Sequence, residues 1–175
     1  MNGSGEFGAD GVKPRRMRAL WWALIWALLF TVLHAYWYLG GRIALGDGPN
    51  ALPGKPVSIG GWILTIVVAL MFAIGIAVPI ALLVDIGHGV LRRLLVASLW
   101  IGCIVLLARG TAGLVDDAVR DLGISGGGIT GLSYQQVLGT AHPSTFTLIS
   151  GHIINGYFFV GGILYGWAGR SCKLG

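Results

Sequence analysis

Apolar residues in this chain gather into four long runs, at roughly 19–40, 61–84, 94–115 and 146–167, and the segments between them hold most of the charged side chains. Each run is about 20 residues long, which is what an α-helix needs to cross a hydrocarbon core of ~30 Å. A spanning segment finds no water to bond its backbone, so it must close its hydrogen bonds internally, as a helix does. The pattern predicts an all-α polytopic membrane protein, an antiparallel bundle of four transmembrane helices. Residues 1–18 precede the four-helix domain, 19–169, and residues 170–175 follow it.

The connections differ in kind. Residues 41–60 contain Pro49, Pro53 and Pro56 with several glycines, which predicts an irregular link that continues neither helix. The short turn at Asp85–Arg93 makes the second and third helices antiparallel neighbours. The longest connection runs from Gly110 to Ser144. Its first part reads as an amphipathic extension of the third helix, with Leu114, Val115, Ala118, Val119 and Leu122 on one face and Asp116, Asp117, Arg120 and Asp121 on the other. Gly123-Ile124-Ser125-Gly126-Gly127-Gly128 then reads as a flexible break; its glycine triplet follows no strand, so it lacks the setting of a phosphate-binding loop. Leu132–Leu138 predicts a short helix, with Ser133 as N-cap and Gln136 three residues on, the spacing of a capping box. A long loop with structure of its own is expected to cover the helix ends or to carry function. Pro79, four residues after Gly75, predicts a kink in the second helix.

Composition supports the membrane reading: 55% of residues are hydrophobic and 11% charged, against about 25% charged in soluble domains. That leaves no room for a soluble catalytic domain. The net charge of +5 would suit nucleic acid, but its placement decides otherwise. Eight of the twelve Lys and Arg lie in three segments that four crossings put on one side: Lys13, Arg15, Arg16 and Arg18; Arg92 and Arg93; Arg170 and Lys173. The positive-inside rule then predicts cytoplasmic termini. Trp21, Trp22, Trp26, Tyr165 and Trp167 near one surface, and Tyr36, Trp37, Tyr38 and Trp62 near the other, are expected to form the interfacial girdles. Gly3–Phe7 and Lys173–Gly175 read as linker residues outside the fold, and the first run is expected to persist as a helix rather than be cleaved. Cys103 and Cys172 form no Cys-x-x-Cys, which excludes the four-helix thiol oxidoreductases that pass electrons to quinone. Cys103 is expected to be a small apolar filler.

The chemistry that remains lies in polar residues at one depth. His34 is about six residues from the outer end of the first run, or ~9 Å below the surface. Arg109 and His152 lie at a similar depth, and Asn155 is one turn deeper than His152 on the same face. Polar groups in hydrocarbon normally turn inward to meet partners or water. A cluster of His34, Arg109, His152 and Asn155 is expected in the outer half, with Asp116 or Asp117 as counter-charge to Arg109. Two roles fit it: binding a lipid-like or other small ligand, or holding the helices together. Asp85 and His88 form a second candidate, an i, i+3 pair on one helix face beside Arg92 and Arg93.

Other classes are weaker on the residues. His34 and His152, with Gly151 and Gly156 giving clearance, meet the minimum for bis-histidine haem ligation, but they are one pair where four-helix cytochromes commonly carry two. No metal-ligand set and no nucleophile–base pair is visible, so no cofactor is expected and enzymatic activity stays undecided. A channel or transporter of four helices would require an oligomer; a homo-oligomer is compatible with the sequence, though nothing in it indicates one. Gly162-Ile163-Leu164-Tyr165-Gly166 is a Gly-x-x-x-Gly, expected to serve packing within the chain rather than a dimer seam.

Tyr36-Trp37-Tyr38-Leu39-Gly40-Gly41-Arg42 closing the first helix, before a proline-rich loop, resembles the small bacterial membrane proteins grouped as domain of unknown function thirty-nine ninety-five. Leu106-Leu107-Ala108-Arg109-Gly110 resembles that family's second segment, and His34 before the aromatic run fits its pattern. The resemblance implies the four-span layout and a membrane location, and it implies no activity and no role for His152.

Overall fold

The computed structural model describes residues 9–43, 45–46, 56 and 58–173, with side chains described from Pro14 to Cys172. The described residues form five helices and no strand: α1 Ala9–Tyr38, α2 Ile59–Leu83, α3 Val90–Asp121, α4 Tyr134–Leu138 and α5 Thr145–Lys173. Four of them, α1, α2, α3 and α5, are long and apolar enough to cross a membrane. The proline-rich link expected at 41–60 lies largely outside the described residues, as do 1–8 and 174–175. Lys173, expected beyond the fold, is the last residue of α5.

Local chemistry explains several boundaries. Ser58 starts α2 by accepting the Gly61 amide on its Oγ at 3.1 Å, satisfying one of the donors a helix start leaves free. α3 runs unbroken through Arg109 to Asp121, so the apolar run and its amphipathic extension are one helix. α4 begins where the capping box placed it, with Gln136 Oε1 accepting the Ser133 amide at 2.9 Å.

The helices touch in the ring order α1–α2–α3–α5–α1, and the tightest seam is α3 against α5. Glycine makes that seam possible. A Cβ on Gly110 would lie 2.5 Å from the Phe159 amide nitrogen, and one on Gly162 would lie 2.6 Å from Leu107 Cγ. On Gly166 it would meet Cys103 Sγ at 2.9 Å. Gly162 and Gly166 therefore face α3 within the chain, the packing of small residues that brings membrane helices close. Cys103 is buried there as filler.

α1 joins α5 by a reciprocal clasp. Trp26 Nε1 donates to the Tyr157 carbonyl at 3.0 Å, and Tyr157 Oη donates to the Trp26 carbonyl at 2.9 Å. The two rings stack, and Phe30 stacks on both. Trp26, Tyr165 and Trp37 are thus interior residues rather than members of a girdle. The reason is that each has a polar atom with a carbonyl partner inside the protein, Trp37 Nε1 donating to Ile43 O at 2.8 Å. Trp21, Trp22, Tyr38 and Trp62 are exposed, as interfacial anchors would be.

α2 continues through Pro79, which has no N–H for the carbonyl of Gly75 four residues back. Tyr165 Oη on α5 donates to that carbonyl at 2.7 Å, across the width of the fold. The fully buried core, Ala19, Leu20, Leu82, Leu99 and Ala168 among it, lies toward the end that carries the termini. Toward the opposite end α2 and α3 touch lightly and a crevice opens between them.

Candidate functional site

The crevice encloses about 590 Å³ and all four long helices line it. α1 and α5 form its floor with Phe30, His34, Phe158 and Tyr165, while α2 and α3 form its walls. Its rim residues Met71, Ile74, Ile101 and Val105 are 43–62% exposed, so it opens sideways between α2 and α3, toward what would be lipid. The space falls in the ~300–1,000 Å³ range of small-molecule sites, and a few polar groups stand in an otherwise apolar lining.

Those polar groups are Arg109 and His34 at the end near the long loop, Thr31 beside them, and Ser98 at the other end. Thr31 and Ser98 hydroxyls are engaged with carbonyls of their own helices, Ala27 and Leu94. His34 packs among Phe30, Trp37 and Phe72. Its Nδ1 lies 3.0 Å from the Phe30 carbonyl, and because a carbonyl only accepts, Nδ1 carries the proton and Nε2 is left for other contacts.

Arg109 is exposed within this setting. Nη1 donates to Asn155 Oδ1 at 2.8 Å, and the guanidinium carbon sits 5.0 Å from the Phe158 ring centre. Among the described residues no carboxylate lies within ion-pair distance of it. Asn155 is the intermediary: its Nδ2 donates to Asp117 Oδ2 at 2.7 Å. Arg109, Asn155 and Asp117 thus form a chain across α3 and α5, and the expected counter-charge acts at one remove. Gly113 leaves the space for it, since a Cβ there would lie 2.2 Å from Asn155 Oδ1.

The other expected members lie elsewhere. His152 is outside the crevice, with Nδ1 on the Leu148 carbonyl at 2.9 Å and Nε2 3.4 Å from Asp121 Oδ2. Asp116 belongs to the loop. It pairs with Arg120 at 2.5 Å, and its Oδ1 accepts the amides of Ile129 and Thr130 at 2.7 and 3.1 Å. Arg120 in turn donates to Leu132 O and Thr130 Oγ1. Asp116 and Arg120 are only 8% and 9% exposed, so that part of the polar face is buried beneath residues 127–134, while Asp121 stays exposed. Gly128, in the left-handed region at φ +60°, brings the loop backbone this close; a Cβ on it would lie 2.3 Å from Asp116 Oδ1. Tyr134 Oη donates to Asp121, and burial together with that carboxylate pushes the phenol well above its usual range.

Arg120, Asp121, Thr130 and Tyr134 therefore join the polar end of the molecule, although the candidate cluster did not include them. The signal was present for Arg120, at i+4 from Asp116 and i+3 from Asp117. No local signal points to Thr130 or Tyr134, because the loop must fold back before they meet α3.

Asp85 and His88 are not a helical pair. α2 ends at Leu83 and Asp85 adopts φ +57°, which removes the shared face. Asp85 Oδ1 instead accepts from Arg16 Nη2 at 2.8 Å and Arg92 Nη1 at 3.1 Å, and the Arg16 hydrogen bond and charge hold its carboxyl below the usual range. Arg16 Nη2 also donates to the Leu82 carbonyl, capping the end of α2. His88 is exposed and takes no part.

His34 and His152 engage separate partners: His34 Nδ1 lies on the Phe30 carbonyl, and His152 Nε2 is 3.4 Å from Asp121 Oδ2. Among the described residues no three His, Cys, Asp or Glu stand together as a metal site would need. Compared with protein-family models, with curated proteins and with solved structures, the chain finds no match.

Proposed function

We propose that this chain is a four-helix bundle of a bacterial inner membrane, with both termini cytoplasmic, that binds an anionic amphiphile in the crevice between α2 and α3. The observation that carries the reading is Arg109, a guanidinium at the loop end of an apolar, laterally open crevice, with no carboxylate partner among the described residues. A charge at membrane depth is costly and normally meets a partner or water. A phosphate or carboxylate head would give it one, as a charge-assisted and often bidentate contact. His34, beside it, would offer Nε2 to a hydroxyl or, once protonated, to the anion.

The dimensions suit this ligand. From Ser98 to Arg109 the crevice runs about 16 Å along α3, close to half the ~30 Å hydrocarbon core. A chain entering sideways would lie along Phe72, Ile74, Val105 and Leu106, with its head at the level of Arg109. The role is binding, in an outer leaflet, and no group on the crevice wall calls for catalysis. The resemblance to domain of unknown function thirty-nine ninety-five belongs to the same proposal and agrees with it in layout.

Native mass spectrometry of the protein released from its own membranes tests the reading. The expected result is one retained anionic amphiphile per chain. Arg109→Gln should lower retention about tenfold or more, the worth of a charge-assisted hydrogen bond. Val105→Trp should abolish it by filling the crevice while leaving Arg109 in place. Protein that carries no amphiphile, or that retains it equally in both variants, would sink the proposal.

A further inference from the structure

A second groove lies on the other side of α3, toward the end with the termini, and the crevice ligand does not account for it. It encloses about 580 Å³ and is lined by Arg92, Arg93, Val96, Ala97, Trp100, Ile101, Ile104 and Cys172. Two arginines stand at its mouth and its walls are apolar, so it too pairs cations with hydrocarbon-compatible surface. Its mouth is at the start of α3, whereas the cation of the crevice, Arg109, stands beyond the midpoint of the same helix.

The charge at this mouth is unbalanced. Arg16, Arg92 and Arg93 gather there, and Asp85 is the carboxylate that bonds the first two. The Arg93 side chain is exposed and, among the described residues, makes no hydrogen bond or ion pair. Among the described residues at this mouth, one carboxylate against three guanidinium groups leaves an excess of two positive charges at the surface of the bilayer. Below them the groove follows α3 from Arg93 to Ile104, about 16 Å at 1.5 Å per residue. That is again near half the hydrocarbon thickness. Basic pockets between transmembrane helices at a membrane surface recognise anionic lipid heads.

We infer that this groove is a binding site for an anionic phospholipid of the leaflet on the side of the termini, its phosphate held by Arg93 and Arg92 and one acyl chain lying along Val96, Trp100 and Ile104. Ile101 borders both grooves. The two sites therefore meet near mid-membrane and take their ligands from opposite leaflets. This site stands on its own residues and survives the failure of the crevice proposal.

The full chain in nanodiscs of phosphatidylcholine, carrying a trace of phosphatidylglycerol with a photoactivatable acyl chain, provides the test. Labelled peptides are then read by mass spectrometry. Phosphatidylglycerol should label Val96–Ile104 several-fold more than the phosphatidylcholine analogue does. Arg93→Gln leaves the Arg16–Asp85–Arg92 contacts in place, and it should cut that labelling about fivefold, the worth of one basic residue at an anionic surface. Arg93→Lys should keep most of it. Equal labelling by the two lipids, or labelling unchanged in Arg93→Gln, would overturn the assignment. So would an equal loss in Arg109→Gln, because that would mark general loosening rather than a site at Arg93.

Discussion

The hydroxyl of Tyr165 reaches the Gly75 carbonyl because Pro79, four residues on, has no amide hydrogen to offer it. Inside a membrane an unpaired carbonyl has no water to turn to, so this one contact decides whether proline is tolerated at that point. Tyr165→Phe should therefore destabilise the protein by about 1–3 kcal/mol, the cost of stranding a buried acceptor. In a Pro79→Ala background the restored amide replaces the hydroxyl, and the same change should cost much less. Equilibrium unfolding in mixed micelles measures both, and an equal cost in the two backgrounds would refute the account. The Gly75–Pro79 pair was legible in the sequence as a weak point in a helix. Its partner was not, because Tyr165 is ninety residues away and only the packing of α5 brings it there. Asp116 teaches the same lesson in reverse, since a charge on an apparently wet face is buried by loop amides from Ile129 and Thr130.

Between elements, glycine sets how close α3 and α5 come. Gly110 opposes backbone atoms of Phe159 and Asn155, which cannot rotate away as a side chain can. Gly110→Ala should thus push the helices apart and lower stability, although alanine favours a helix. Gly156, on α5, has nothing within 4 Å of an added Cβ. Gly156→Ala should raise stability, by up to about 1 kcal/mol from helix propensity. Opposite shifts of the unfolding midpoint are expected, and shifts of the same sign would refute the close-approach reading. The Gly162–Gly166 spacing was readable as a place where helices approach, but not which helix approaches it. With thirty glycines in the chain, spacing alone cannot separate contact glycines such as Gly110 from open ones such as Gly156.

Across the whole molecule, polar groups tie the helices at both ends and aromatic stacking ties them between. At the termini end Asp85 joins α1 to α3 through Arg16 and Arg92. The folded state holds its carboxyl below the ordinary 3.8, so the link is present above that pH and is lost as pH falls through the lowered value. The carboxylate is exposed, and the effect is local rather than global. Acidifying from above 3.8 to below the lowered value should reduce amide protection in the 84–93 turn, corrected for intrinsic exchange, more in the wild-type protein than in Asp85→Asn. Identical pH responses would remove Asp85 from that role. At the other end the 127–134 segment closes over Asp116 and Arg120, and the chain Arg109–Asn155–Asp117 links the crevice to that cap.

The number of long helices and their apolar character followed from the sequence alone, because the hydrocarbon thickness sets a helix length and each run meets it without help from its neighbours. The expectation of a similar depth for His34, Arg109 and His152, with Asn155 one turn deeper, was read from spacing alone, since rise per residue is constant along a helix. Tertiary structure alone decided which of them meet. Depth says nothing about rotation, and rotation turned Arg109 and His34 to the crevice, sent His152 to Asp121, and placed Asn155 between Arg109 and Asp117. The crevice itself exists because α2 leans on α1 and touches α3 lightly, a result of packing that no single helix encodes.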